Sequence, residues 1–545
     1  MHFARNGHAR QVSAGNCTLV PRTMGCCSPA GHYDGQLDGT IAPGQLGRTT
    51  RVRGGGWERS QLYDALGRVY HERTALTGWR EAVHDRTFRA DGAVARDALT
   101  ITDAGGAVRF SSTQETELDS LGRTSALEVD GHVLYTLSYD DEGRLAHADF
   151  SSGETITFDY DPVTHRRHGH VLAASAASGG VHWERDARGL VRNEVYTQGA
   201  TSTHRDYRYD GRGALTTTTT AGGGEVASYT YTASGLPDTI SDAVGARSVH
   251  RAGSQLTVGG VVYTWDSVGR IVGTGDWTFQ YGADGQLDAA SRPGRQIEFV
   301  YDDSDQRLLK RVDGVPVRAN VAGGVLTEDH FVELVTVGGV VAGVLDNGAF
   351  IALPTDPRGT PFVGPDGTPN LASPYGVRSS HLGYAEAIDY TRLGWDPDLD
   401  IVRMGVRDYV PRLSQFMTPD PLYLENLDKC QSSPLQCALY GYAGGNPISF
   451  VDPTGMDLES FLRNLTADVV EGIVTAMGAA TGGVVGALAG VATGPGAIVT
   501  GAAGAVGGAG VFRAMASPAV DWIRGEEPSW DHVGAAALDG MAIWR

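Results

Sequence analysis

One short pattern recurs through most of this chain and restricts its fold more than any other feature. The pattern is an aromatic residue, an Asp, two or three variable residues, Gly, Arg and an apolar residue. It reads LYDALGRV at 62–69, ELDSLGRT at 117–124, SYDDEGRL at 138–145, WERDARGLV at 183–191, RYDGRGAL at 208–215, TWDSVGRI at 264–271, QYGADGQL at 280–287 and VYDDSDQRL at 300–308. Asp119, Asp140 and Asp161 are spaced by about 21 residues, a step in the range of stacked repeats.

Each unit has a simple physical reading. Runs such as HVLYTLSY and ETITFDY alternate with period two and predict strands. The intervening D-x-x-G-R predicts the turn, because Asp bonds the backbone two residues on and Gly takes the left-handed position. Repeated in series, the pattern predicts β-hairpins. One hairpin cannot bury its apolar face, whereas stacked neighbours can. The Tyr is then a cross-strand packing residue and the Asp a turn former, rather than a row of sugar-binding groups.

The rest of the composition fits such an array. Gly makes up 75 of 545 residues, as many tight turns require. The net charge of −20 argues against nucleic-acid binding by a basic face. Lys occurs only at Lys310 and Lys429, and neither lies in a phosphate-binding loop. No C-x-x-C or H-E-x-x-H pattern is present and the 16 His are scattered, so neither a metal site nor a cofactor is expected. Of the five Cys, Cys430 and Cys437 are close enough to form a disulfide across a short loop in an oxidising compartment. The first 25 residues lack an apolar core and do not read as a secretory signal.

The repeats resemble the YD repeats of the Rhs family, also found in the C subunits of insecticidal toxin complexes and in teneurins. After residue 355 the resemblance becomes more specific. TDPRGTPFVGPDGT, SPYGV, GWDPDLDIVRMGVRDYVPRLSQFMTPDPLY and LYGYAGGNPISFVDPTG are similar, in this order, to the Rhs repeat-associated core domain. The resemblance covers roughly residues 60–456. It implies a mainly β fold, in which the hairpin array curls into a partial cocoon closed by the core domain. The domains expected are an irregular segment at 1–55, the β-shell at 56–350, the core domain at 351–456 and a Gly/Ala-rich helical toxin-side segment at 457–545.

The resemblance also implies a function. Such proteins are polymorphic toxins whose shell encloses a C-terminal toxin. In many members the core domain cuts the chain after a D-P-x-G-[L/M] motif by aspartyl-protease-like chemistry. Here the bond would be Met456–Asp457. Peptide hydrolysis of that kind needs two carboxylates, one as base toward water and one as donor to the carbonyl oxygen. The candidates are Asp396, Asp398, Asp420 and Asp452, with Arg407 to hold a carboxylate ionised. The chain departs from the family pattern at Ser414-Gln415-Phe416, Leu399-Asp400 and Leu422-Tyr423. Two readings of these Asp residues therefore stand, a cleavage apparatus and a set of Asp-Pro turn initiators. The expected partners are the chain's own toxin segment, a secretion-system spike, a chaperone and an immunity protein. The expected location is outside the producing cell or inside a target cell.

Beyond Met456 the pattern changes. Leu458, Phe461, Leu462, Leu465, Val469 and Ile473 have helical spacing, and no charge occurs from Ile473 to Phe512. Gly478, Gly482, Gly486, Gly490 and Gly494 would form a smooth ridge on one helix face for close helix packing. This tract reads either as a linker packed inside the shell or as a membrane-active hairpin contacting a target membrane through 473–512. The last residues hold no nucleophile–base pair and no metal cluster, so the toxin itself is expected to be absent or truncated. Two other functions remain consistent with the sequence, an adhesion or carbohydrate-binding repeat surface and a membrane-permeabilising protein.

Overall fold

A computed structural model describes residues 30–33, 48–173, 178–364, 368–421, 439–456 and 459–460. Cys430, Cys437, Asp457, the glycine ridge from Gly478 to Gly494 and the 473–512 tract lie outside the described residues. Among those described, no helix is long and apolar enough to cross a membrane. The chain divides into two compact units, whose described parts meet in sequence at Gly131 and His132.

The first unit is an antiparallel meander. It runs from Ala30–Tyr33 and Thr49–Gly54 to Thr124–Val129, each strand pairing with the next. The second unit continues in the same manner from His132–Tyr139 to Ala349–Ala352. It then changes to a mostly irregular closing segment. That segment contains a small antiparallel sheet of Trp395–Asp396, Ile401–Met404, Arg407–Val410 and Gln415–Phe416.

One repeat explains why the meander forms. Asp140 Oδ1 accepts the backbone N–H groups of Glu142 and Arg144 at 3.0 and 2.8 Å. Arg144 Nε closes onto Asp140 Oδ2 at 2.7 Å. Gly143 sits at φ +80°, where a Cβ would be strained. The Arg144 guanidinium then lies 4.5 Å from the ring centroid of Tyr160, which belongs to the next repeat. Tyr160 in turn donates its hydroxyl to the carbonyl of Leu145, the apolar residue that ends the previous turn, at 3.0 Å. The same tie recurs from Tyr209 to Val191, Tyr231 to Leu215, Tyr281 to Ile271 and Tyr301 to Leu287, at 2.6–2.7 Å. In these five units the Tyr pins its repeat to the preceding one, which is why Tyr and the apolar position recur together there. In the repeat at 300–308, Asp305 replaces the Gly at φ +60°, a conformation Asp tolerates better than most residues.

Within the second unit the meander curls until its early and late strands meet. The rings of Phe150 and Phe350 stack at 4.4 Å. Arg167 donates to the Gly338 carbonyl at 2.5 Å. Side chains alternate across the strands, so Val181, Trp183, Ala227, Tyr229, Ile297 and Phe299 share a buried face. The closing segment lies against that face, burying Tyr375, Tyr390, Tyr409, Phe416 and Tyr442 in the same core. The run Val340–Leu345 is buried at every position, because Ala387 and Ile388 of the closing segment pack onto it as well.

Candidate functional site

The hairpin of Ile401–Met404 and Arg407–Val410 turns through Gly405, and this turn interlocks with the loop at 452–456. Val406 donates its N–H to the Thr454 carbonyl at 3.0 Å. Gly405 and Gly455 both have positive φ, at +50° and +70°. A Cβ on Gly405 would strike the Thr454 backbone, and one on Gly455 the Met404 carbonyl. Two glycines therefore let two backbones touch where one ends at Arg407 and the other leads to Met456.

Arg407 is buried at the centre of this junction, with its guanidinium 3.7 Å from the Phe416 ring centroid. Nη2 holds Asp420 Oδ2 at 2.9 Å and Asp452 Oδ2 at 3.3 Å. Nη1 donates to the Leu439 carbonyl at 3.2 Å, and Nε donates to the Gly455 carbonyl. Asp452 Oδ1 accepts the Met456 N–H at 3.1 Å and the Thr454 hydroxyl at 3.3 Å. Burial pulls the Arg407 guanidinium below its ordinary pKa, while Asp452 and Asp420 oppose that shift. Two carboxylates thus meet on one guanidinium nitrogen, beside the amide that leads into the Met456–Asp457 bond.

Three of the carboxylate and guanidinium groups expected from sequence, Asp420, Asp452 and Arg407, come together here with Met456. Asp396 and Asp398 do not join them. Both lie on the buried ammonium of Lys310, with Asp396 Oδ1 at 2.8 Å and Asp398 Oδ2 at 2.7 Å. Arg318 approaches Asp396 at 3.6 Å, and Arg295 holds Asp398 at 2.5 Å. Asp396 pairs in register with Ile401, whereas the hairpin contacts Gly455 at Met404. Three residues of strand, about 10 Å, separate the two ends. Burial would raise the Asp396 pKa, but Arg318 and Lys310 outweigh it and hold the carboxyl below its ordinary value. The chemistry these two residues carry is anchorage of the closing segment onto the strand Arg307–Val312.

A second buried anchor was not legible in the sequence. Arg358 donates to Glu194 Oε1 and Oε2 at 2.7 and 3.1 Å and to Asp356 Oδ2 at 2.5 Å. Tyr196 and Tyr207 each donate to Glu194 at 2.6 Å. This network ties the start of the closing segment to the meander. The sequence signals were Asp356 and Arg358 within the TDPRGT motif and an acidic residue, Glu194, at a buried position of the strand Val191–Gln198, and nothing in the sequence paired them. Phe416 and Gly405 were likewise unmarked, since their roles exist only once the hairpin meets the 452–456 loop.

Residues 179–318 match the teneurin YD-shell family. No curated protein matches the chain. Among solved structures, the chain is similar to one of the Tc holotoxin pore of Photorhabdus luminescens carrying a TccC3 mutation. The TM-score is 0.55 at 13% identity, covering 80% of this chain and 25% of that one. It is also similar to a crystal structure of TcdB2-TccC3, with TM-score 0.51 at 13% identity, covering 75% of this chain and 28% of that one. The chain therefore spans about a quarter of the length of these solved chains.

Proposed function

We propose, from the match of residues 179–318 to the teneurin YD-shell family and the shared fold, that this chain is the Rhs/YD-repeat shell portion of a toxin carrier that severs its own C-terminal segment after Met456. The observation that carries this reading is the pairing of Asp420 and Asp452 on Arg407 Nη2, next to Gly455 and Met456. In the proposed step, one carboxylate takes a proton from water and the hydroxide adds to the Met456 carbonyl carbon. The other carboxyl protonates the carbonyl oxygen. Collapse then breaks the C–N bond, and the Asp457 nitrogen leaves with a proton as a free amine. Arg407 and the two glycines act as positioning groups by holding the loop against the carboxylates. The toxin context of the TccC3 structures supports the reading by fold alone. Release outside the producing cell or delivery to a target cell, with a spike, chaperone and immunity protein as partners, belongs to the same proposal.

The test is direct. Purified full-length chain is incubated and analysed by intact mass. The expected products are residues 1–456 and 457–545, with Asp420→Asn and Asp452→Asn remaining whole. Wild type that stays intact on prolonged incubation removes the cut. The shell reading is tested separately by protease digestion of a cargo domain fused after residue 456. Equal digestion of the fused and free cargo would overturn encapsulation, whatever the result for cleavage.

A further inference from the structure

Three neighbouring strands bring together two imidazoles and a carboxylate that are distant from the closing segment's aspartates in sequence. Asp159 lies in Thr155–Tyr160, His168 in Arg167–Ala173 and His182 in Gly179–Arg185. The register across the strands is Asp159 opposite Gly169, and Gly169 opposite His182. Two features make this row a pocket rather than a chance neighbourhood. Between Asp159 and Tyr160 the pairing slips by one residue, so that His168 is the extra residue of a β-bulge. A bulge re-aims a side chain, and here it places His168 beside Asp159 instead of on the opposite face. The middle position of the row is glycine. A Cβ on Gly169 would sit 3.3 Å from both the Asp159 Cβ and His182 Nδ1, in the space between them.

The resulting geometry suits a tetrahedral ion. His168 Nε2 lies 3.0 Å from Asp159 Oδ2, and His182 Nδ1 lies 3.6 Å from the same oxygen. Ligand atoms of all three residues fall within 4.8 Å of one another. With metal–ligand bonds near 2.0–2.1 Å, the edge of a tetrahedral site is about 3.3 Å, between the two observed separations. The side chains of His168, His182 and Asp159 keep 22, 42 and 60% of their surface exposed, so a fourth position faces solvent. The donor set is two neutral imidazoles and one carboxylate, which suits Zn²⁺ and related borderline ions better than Ca²⁺ or Mg²⁺.

We infer that Asp159, His168 and His182 form a binding site for a divalent transition metal of the Zn²⁺ class on the outward-facing side of these strands. The bound ion would clip three consecutive strands of the meander together. The opposite face of those strands seats the beginning of the closing segment, where His170 donates to the Thr355 carbonyl at 2.8 Å and Gly179 packs against Pro354. Sequence spacing conceals the site, because each ligand comes from a different strand and one is aimed by a bulge.

The experiment uses full-length chain stripped with chelator and titrated with Zn²⁺ by calorimetry. Co²⁺ absorption reports the coordination geometry. Wild type is expected to bind one ion at this site, to show a tetrahedral Co²⁺ spectrum and to gain thermal stability on loading. His168→Ala and His182→Ala should each weaken binding by at least about tenfold, since loss even of an outer-shell partner costs that much. Asp159→Asn, which preserves shape, provides the same test if an Ala variant misfolds. His204→Ala, on another strand, should bind as wild type does. Unchanged Zn²⁺ affinity in the three site variants, or an equal loss in the His204 variant, would overturn the site.

Discussion

The ammonium of Lys310 lies 2.8 Å from the Asp396 carboxylate, with both side chains almost wholly buried. The pair joins the meander to the closing segment across 86 residues of chain. Removing one partner of a buried pair leaves the other charge uncompensated in a poor solvent. Lys310→Met is therefore expected to destabilise the protein by about 3 kcal/mol. The paired change Lys310→Met with Asp396→Leu should recover much of that loss. Thermal midpoints of the single and double variants provide the measurement, and equal losses in both would show that the pair contributes little.

The repeated Tyr ties predict a graded effect. Tyr281→Phe removes one hydroxyl that donates to the Ile271 carbonyl at 2.7 Å and keeps the ring. Its expected cost is about 1 kcal/mol, with an added desolvation penalty if the carbonyl finds no other donor. Tyr231→Phe should cost more, because that hydroxyl meets the Leu215 carbonyl, the Gly445 carbonyl and the Tyr375 hydroxyl at 2.7, 3.2 and 2.8 Å. Denaturant midpoints of the two variants check the order. The reverse order would mean that the ties between repeats outweigh those to the closing segment.

His170 predicts a dependence on pH. Burial lowers its pKa from 6.5 to about 3, with the Arg167 cation adding to the shift and the bond to Thr355 opposing it. The folded chain keeps this imidazole neutral, while the unfolded chain protonates it below its ordinary value. Its contribution is thus complete above about pH 6.5 and is lost progressively as pH falls toward 3. By pH 5 the loss is about 2 kcal/mol. Thermal midpoints at pH 7 and pH 5 measure it, and His170→Gln should flatten the difference. An unchanged slope in that variant would assign the acid sensitivity to other groups.

Much of the fold was legible because its signals are local. The D-x-x-G-R turn needs only contacts within four residues, as Asp140 and Arg144 demonstrate. The alternation of Ala227, Tyr229 and their outward neighbours declares the strand by its period. The candidate site was legible in part. Motif resemblance pointed to Asp420, Asp452 and Arg407, but it grouped them with Asp396 and Asp398, which sit on Lys310. No local pattern separates the two sets, since every one of these aspartates lies in a similar turn-forming context.

By itself, the sequence determined the repeat, its turn chemistry and the strand period, because those depend on backbone sterics and neighbouring side chains. It also marked the loop ending in Met456 as the place where the chain changes character. Tertiary structure alone decided which charges became partners. The packing of the Gly405 turn on the 452–456 loop brought Asp452 to Arg407, where Asp420 also pairs, the curl of the second unit carried Lys310 to Asp396, and a bulge turned His168 toward Asp159. The physical reason is distance. A buried charge selects its counter-ion from whatever the packed chain brings within a few ångströms, and residues remote in sequence become candidates only after the sheet has folded.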